Sequence, residues 1–180
     1  MLLLEPDGAE RVMRLWRRLA AAGLPTLDSR WQPHITLAAF DSPTPEKVTA
    51  ALSAASRNVD SFTLQFETLG SFPGRGVLYS APTPDARLLN LQKRVYDSLQ
   101  GAAQFGEPYY APGRWTPHCS FTLSASPREL GQALALLARD WQPFTAGVRG
   151  LNLVRSADAY PAGPSTDVLY RSFRRKGFSC

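Results

Sequence analysis

Only two histidines occur in the 180 residues, and both sit in the same local pattern. Arg30-Trp31-Gln32-Pro33-His34-Ile35-Thr36 aligns without a gap on Arg114-Trp115-Thr116-Pro117-His118-Cys119-Ser120, at a shift of 84 residues. The same shift lays Ser42-Pro43 over Ser126-Pro127. Each histidine is followed two residues later by a hydroxyl. On a strand, residues i and i+2 share a face and stand about 6.5 Å apart. Each strand would then present an imidazole beside a hydroxyl, with Ile35 and Cys119 turned to the core. Imidazole titrates near pH 6.5, so of two histidines on one substrate one can be neutral and the other charged. The neutral ring can take a proton from an attacking oxygen, and the charged ring can give one to a leaving oxygen. The hydroxyls Thr36 and Ser120 can hold the non-bridging oxygens of a phosphate.

Plainer uses exist for each of these residues. A single histidine in a strand is more often structural than functional, and a hydroxyl often serves a backbone group. Two histidines at repeat-equivalent positions, each after Trp-x-Pro and before a hydroxyl, resist that explanation. No Asp, Glu or Cys stands at zinc-ligand spacing with them, so neither a metal nor any other cofactor is expected. Cys119 and Cys180 make no disulfide framework. Nothing provides Cys119 with a base, so a catalytic thiol is not expected.

The elements around the motifs follow from periodicity and caps. A first helix is expected over Gly8–Ala22, with the stripe Val12, Leu15, Trp16, Leu19, Asp7 and Glu10 at its start, and Gly23 as its stop. Thr44-Pro45, Thr83-Pro84 and Ser126-Pro127 each place a hydroxyl cap before a proline at the first helical position. Ser126 with Glu129 makes a full capping box. Strands are expected near Leu2–Leu4, His34–Phe40, Phe62–Gly70, Gly76–Ala81, Trp115–Leu123, Phe144–Val154 and Asp167–Phe173, with a hairpin-like loop at Ser71–Gly76. Helices and strands mix, so the class is α+β. The repeat reads as two copies of a helix–strand–helix unit within one domain spanning 1–180.

The doubled motif resembles that of the 2H phosphoesterase superfamily, whose bacterial members include the 2'-5' RNA ligases and RNA 2',3'-cyclic phosphodiesterases. Pro33-His34-Ile35-Thr36-Leu37 matches the family motif closely; Pro117-His118-Cys119-Ser120-Phe121 carries Ser where Thr is commoner. The resemblance implies a bilobal fold, with two pseudo-symmetric lobes, each an antiparallel sheet flanked by helices, around a central cleft. It implies hydrolysis of a nucleotide or RNA-end 2',3'-cyclic phosphate that leaves a 2'-phosphate, with reversible 2'-5' RNA ligation as a related activity. It carries His34 over as the general acid and His118 as the general base. A basic residue found after the second motif in some RNA-acting members is replaced here by Ser124-Ala125-Ser126. A small-nucleotide 2'-5' or 3'-5' phosphodiesterase and a non-catalytic RNA-end-binding module are the alternatives.

Further substrate contacts are expected among Trp31, Phe40, Phe72, Tyr79 and Trp115, whose rings suit base stacking, and among Arg75, Arg114 and Arg30, which suit phosphate. Packing in the core is the plain use of each ring. The net charge of +5 suits a phosphate-bearing partner but also describes an ordinary arginine-rich surface. Arg11, Arg14, Arg17 and Arg18 fall on the polar side of the first helix. Apolar residues make 44% of the chain, enough for a real core and too many for disorder. No apolar run approaches the ~20 residues of a membrane span, and the first residues lack a secretory pattern. A cytoplasmic monomer with a nucleotide or RNA-end partner and no membrane contact is expected.

Overall fold

The computed structural model describes residues 1–27, 31–41, 43–105, 108–156 and 165–174. Arg30, Ser42 and Cys180 lie outside them. The chain runs β1 (Leu2–Leu4), α1 (Pro6–Ala21), β2 (His34–Ile35), α2 (Pro45–Ser56), β3 (Phe62–Phe72), β4 (Val77–Pro82), α3 (Ala86–Leu99), β5 (Cys119–Ser120), α4 (Pro127–Ala138), β6 (Phe144–Ser156) and β7 (Ser165–Ser172). Short 3-10 turns stand at Pro73–Arg75 and Pro108–Tyr110. The class is α+β, as the mixed element order predicts.

All strand pairings are antiparallel, and they join the strands in the order β2-β1-β6-β3-β4-β5, with β7 also on β6. The resemblance implies two sheets; the hydrogen-bond ladders instead connect all seven strands into one. The order also corrects the size of the repeat. The unit is strand–helix–strand–helix–strand, first β1-α1-β2-α2-β3 and then β4-α3-β5-α4-β6. Exchange the two units and the strand order reads the same backwards. Each unit lends its last strand to the other: β6 pairs with β1, and β3 with β4. The axis of the pseudo-symmetry passes between β3 and β6.

Periodicity decides which faces are buried. Phe62, Leu64 and Phe66 on β3 are buried while Thr63 and Gln65 are exposed, the alternation of a half-covered strand. Phe66 stacks on Phe144 of β6 with ring centroids 4.9 Å apart. On α1 the buried stripe is Gly8, Val12, Trp16 and Leu19, and the helix packs on β6 and α4. Burying such an aliphatic or aromatic side chain contributes roughly 1.5–3 kcal/mol.

Two helix starts differ from expectation, those of α1 and α3, and α2 starts where expected. Helix α1 begins at Pro6, with Glu5 as N-cap and no side-chain cap; proline's fixed φ suits the first helical position and outweighs Asp7. Thr44 caps α2 by position but makes no side-chain bond. Helix α3 begins at Ala86, because Asp85 accepts from the Leu88 N–H at 2.8 Å and so takes the cap from Thr83. The capping box of α4 is present as read, with Ser126 and Glu129 bonded reciprocally.

Candidate active site

The two histidine strands stand at opposite ends of the strand order, yet β2 and β5 pack against each other. The sheet curls until its ends meet. Four backbone carbonyls, two per motif, show how they are held. The Trp115 indole N–H donates to the Thr36 carbonyl at 3.0 Å. The Trp16 indole donates to the Ser120 carbonyl at 3.1 Å. The Gln92 side chain donates to the Leu37 carbonyl at 3.3 Å. The Thr26 hydroxyl and Leu27 N–H donate to the Phe121 carbonyl at 3.0 and 3.2 Å. Thr36 and Ser120 are repeat equivalents, as are Leu37 and Phe121. Every one of these bonds comes from the opposite repeat. Each motif is therefore clamped by the other half of the chain.

These side bonds explain why both strands are shorter than expected. Strand β2 covers only His34–Ile35 and β5 only Cys119–Ser120. Beyond Ser120 the backbone bonds lose their regular register, with the Phe121 and Thr122 N–H groups both on the Leu78 carbonyl at 2.7 and 3.2 Å, and the Thr122 side chain joins them. The Thr122 hydroxyl accepts from Leu78 N–H at 2.9 Å and donates to the Gly76 carbonyl at 3.0 Å. Such local side-chain bonding competes with regular pairing. Gly76 holds φ +62°, and a Cβ there would stand 2.2 Å from the Ala125 carbonyl oxygen. Only glycine lets this turn and the chain after motif two come so close.

The imidazoles are set in matched ways. His34 Nδ1 lies 2.7 Å from the Gln32 carbonyl, and His118 Nδ1 lies 2.8 Å from the Thr116 carbonyl. A carbonyl can only accept, so each Nδ1 carries the proton and each Nε2 is left for chemistry. Ile35 and Cys119 are buried on the reverse, at 0% and 1% exposure, as the strand faces require. Burial pushes the Cys119 thiol up to about 12, which leaves it a protonated core residue.

Burial sets the protonation of the two rings in the free site. Burial pulls His34 down to about 4, and the nearby charge of His118 adds in the same direction. Burial lowers His118 as well. Both rings are neutral in the free site at pH 7. This has a consequence for stability. An unfolded histidine takes up its proton below its ordinary value of about 6.5, whereas folded His34 stays neutral down to about 4. Between those values unfolding binds a proton, so stability is lost as pH falls through that window. From pH 7 to pH 5 the loss through His34 is roughly 2 kcal/mol. Urea unfolding at both pH values should show His34→Gln losing less stability than the native chain over this interval. An equal loss in both would mean that His34 titrates normally.

The aromatic candidates divide. Trp31 stacks on His34 with centroids 5.9 Å apart. Phe72 meets His118 edge-on at 5.0 Å, and Tyr79 lies beside the same ring at 5.2 Å. These three frame the imidazoles. Trp115, in contrast, is buried and spends its N–H on the Thr36 backbone. Phe40 packs edge-on against Phe105, which in turn packs on Tyr96. Arg75 lies over the Tyr109 ring, 4.6 Å from its centroid. Arg114 is exposed, and its N–H closes a turn on the Ala111 carbonyl.

Gly70 makes the Tyr79 position possible. A Cβ on Gly70 would fall 2.5 Å from two ring carbons of Tyr79, a ring that is itself buried. Gly70→Ala should therefore cost about 1–3 kcal/mol by overpacking and should also displace His118. Thermal unfolding together with turnover checks this; an unchanged variant would show that Tyr79 does not seat the histidine.

Sequence reasoning missed Trp16, Gln92 and Tyr110. Gln92 had a readable signal, since it stands on the apolar stripe Leu88, Leu91, Val95, Leu99 and is 2% exposed. A buried amide on such a stripe must find partners. Its own are the carbonyls of Leu37 and, at 2.6 Å, Tyr110. Trp16 and Tyr110 carried no signal apart from the fold. Among the described residues, no three His, Cys, Asp or Glu side chains gather to hold a metal ion, and no helix is long and apolar enough to cross a membrane.

A matched pair of Nδ1-anchored histidines on repeat-related strands defines the class, and the sequence profile of the 2'-5' RNA ligase superfamily matches residues 4–159. The chain belongs to that superfamily, within the 2H phosphoesterases. Among solved structures it is similar to E. coli LigT complexed with 3'-AMP, at 18% identity and a TM-score of 0.68, covering 96% of this chain and 95% of that one. A Thermus thermophilus protein is similar at 20% identity and a TM-score of 0.67, covering 98% and 97%. A protein described as a phosphoesterase gives 18% identity and a TM-score of 0.67, covering 96% and 95%. At these identities the likeness concerns the fold. No curated protein matches the chain by sequence.

Proposed function

We propose that this chain is a metal-independent phosphodiesterase that opens the 2',3'-cyclic phosphate of a nucleotide or RNA end. Water attacks phosphorus as His118 Nε2 takes its proton. The bond to the 3' oxygen breaks, and His34 Nε2–H protonates that oxygen. The phosphate remains on the 2' oxygen, and the proton balance closes when His118 releases its proton to solvent and His34 takes one up. Thr36 and Ser120 hydrogen-bond the non-bridging oxygens. The observation that carries this reading is the matched anchoring of His34 and His118 through Nδ1, which aims two Nε2 atoms from strands in contact. Burial makes both rings neutral before substrate arrives. The negative phosphate then favours the charged form of one of them. Structures of LigT with 3'-AMP, ATP, NADP+ and phosphate show that this relative binds nucleotides and phosphate.

The test is hydrolysis of a nucleoside 2',3'-cyclic phosphate in excess chelator, with products read by phosphorus NMR beside linear 2'-5' and 3'-5' dinucleotides. The expected product is the 2'-phosphate alone. Turnover of only the linear substrates would move the assignment to a small-nucleotide phosphodiesterase, and binding without turnover of any diester would make the chain a binding module.

A further inference from the structure

The strand order β2-β1-β6 sets Arg149 of β6 two strands away from the first histidine. Adjacent strands stand about 4.8 Å apart, so only a long side chain spans that distance. The register shows how Arg149 is aimed. Leu3 pairs with Gly150 and Leu4 with Val148, which leaves Arg149 as the extra residue of a β-bulge. Leu3 is also the residue that pairs with His34 on β2. A bulge breaks the regular alternation of faces and re-aims the extra side chain. Here Arg149 Nη2 donates across β1 to Gln32 Oε1 at 2.8 Å. The Phe173 N–H fixes the Arg149 backbone from the other edge of β6, donating to its carbonyl at 2.8 Å.

We infer that Arg149 is a positioning residue for His34, acting through Gln32. The inference rests on the phosphodiester reading above. The Gln32 carbonyl is the acceptor that keeps the proton on His34 Nδ1, 2.7 Å away. That carbonyl belongs to the Gln32–Pro33 peptide, whose nitrogen carries no hydrogen. The peptide therefore has no donor to tie it to a neighbouring strand, and β2 begins only at His34. The Gln32 side chain supplies the missing tie, and Arg149 holds its far end. A carbonyl that turned away would free the ring to rotate and to move its proton to Nε2. Nε2 would then no longer be aimed at the leaving oxygen. The shift of 84 residues lays Gln32 over Thr116, which carries no amide, so this brace is particular to the first motif.

A double-mutant cycle of Arg149→Met and Gln32→Met separates positioning from a structural part, since both replacements keep an apolar stem and remove the bond. Each single change should lower kcat/KM on the cyclic phosphate roughly three- to tenfold, the worth of one hydrogen bond. The two together should cost no more than either alone, within about twofold. On a nucleotide 4-nitrophenyl phosphodiester, whose phenolate leaves without a proton, all three variants should stay within about twofold of native. Nitrogen-15 NMR of the imidazoles reads the same brace without any turnover, and the chain has only two histidines to resolve. Native His34 should carry its proton on Nδ1. Arg149→Met should move the His34 signals toward a mixture of tautomers and leave those of His118 in place. Losses that multiply in the cycle, equal losses on both esters, or unchanged His34 signals overturn the inference. Shifted His34 signals in a chain that hydrolyses no diester would sink the phosphodiesterase reading and leave the brace standing.

Discussion

Changing either His34 or His118 to alanine should lower turnover of a nucleoside 2',3'-cyclic phosphate by roughly 10²–10⁴-fold, the usual contribution of one general acid or base. Both rings are anchored alike, so neither should be dispensable. The double substitution should cost less than the product of the two, because the pair works on one bond from both sides. Thr36→Val and Ser120→Ala should be milder, since each removes a hydrogen bond to phosphate and no proton transfer. Steady-state kinetics of the five variants in chelator decides this. Native rates for His118→Ala on every diester tried would end the two-histidine account.

The second large effect concerns pH. The profile of kcat/KM reports the free protein. There His34 sits at about 4 and His118 lies below its ordinary value. The competent form holds one proton on the pair, so kcat/KM should peak on the acid side of 6.5 and fall about tenfold per pH unit beyond its alkaline limb. The profile of kcat reports the complex, where the phosphate charge favours imidazolium. Its alkaline limb should therefore lie at higher pH. The limbs belong to the pair and not to single residues. A kcat/KM that stays flat from pH 5 to 8 would mean that no histidine proton is used.

Much of this site was legible in the sequence because the repeat carries it. Two motifs at a constant shift give the pairing of His34 with His118, and the period of a strand gives the burial of Ile35 and Cys119. The flanking strands β1 and β4 escaped the repeat because Leu2–Leu4 and Val77–Pro82 share a place in the fold and little sequence. Sheet pairing constrains backbones and leaves side chains free to diverge. The clamps on the motifs were invisible for a related reason: Trp16, Thr26 and Gln92 act across the pseudo-symmetry axis, at sequence separations that no local pattern reports. Motif length was overread at β2 and β5, where Thr122 and Gln92 take backbone groups that a longer ladder would have used. The lowered histidine values of the free site were not legible, because ordinary values describe water and His34 is 8% exposed.

The division of labour between the histidines is tested most directly by changing the leaving group. A nucleotide 4-nitrophenyl phosphodiester expels a phenolate that needs no proton, whereas the cyclic phosphate expels a ribose oxygen that does. The measurement is the ratio of kcat/KM on the two substrates for the native chain, His34→Ala and His118→Ala. If His34 is the acid, its alanine variant should lose roughly 10²–10⁴-fold on the cyclic phosphate and stay within about tenfold of native on the aryl ester. His118→Ala should lose heavily on both, because water must be activated in either case. Equal losses on both substrates for His34→Ala would contradict the assignment of His34 as the group that protonates the leaving oxygen.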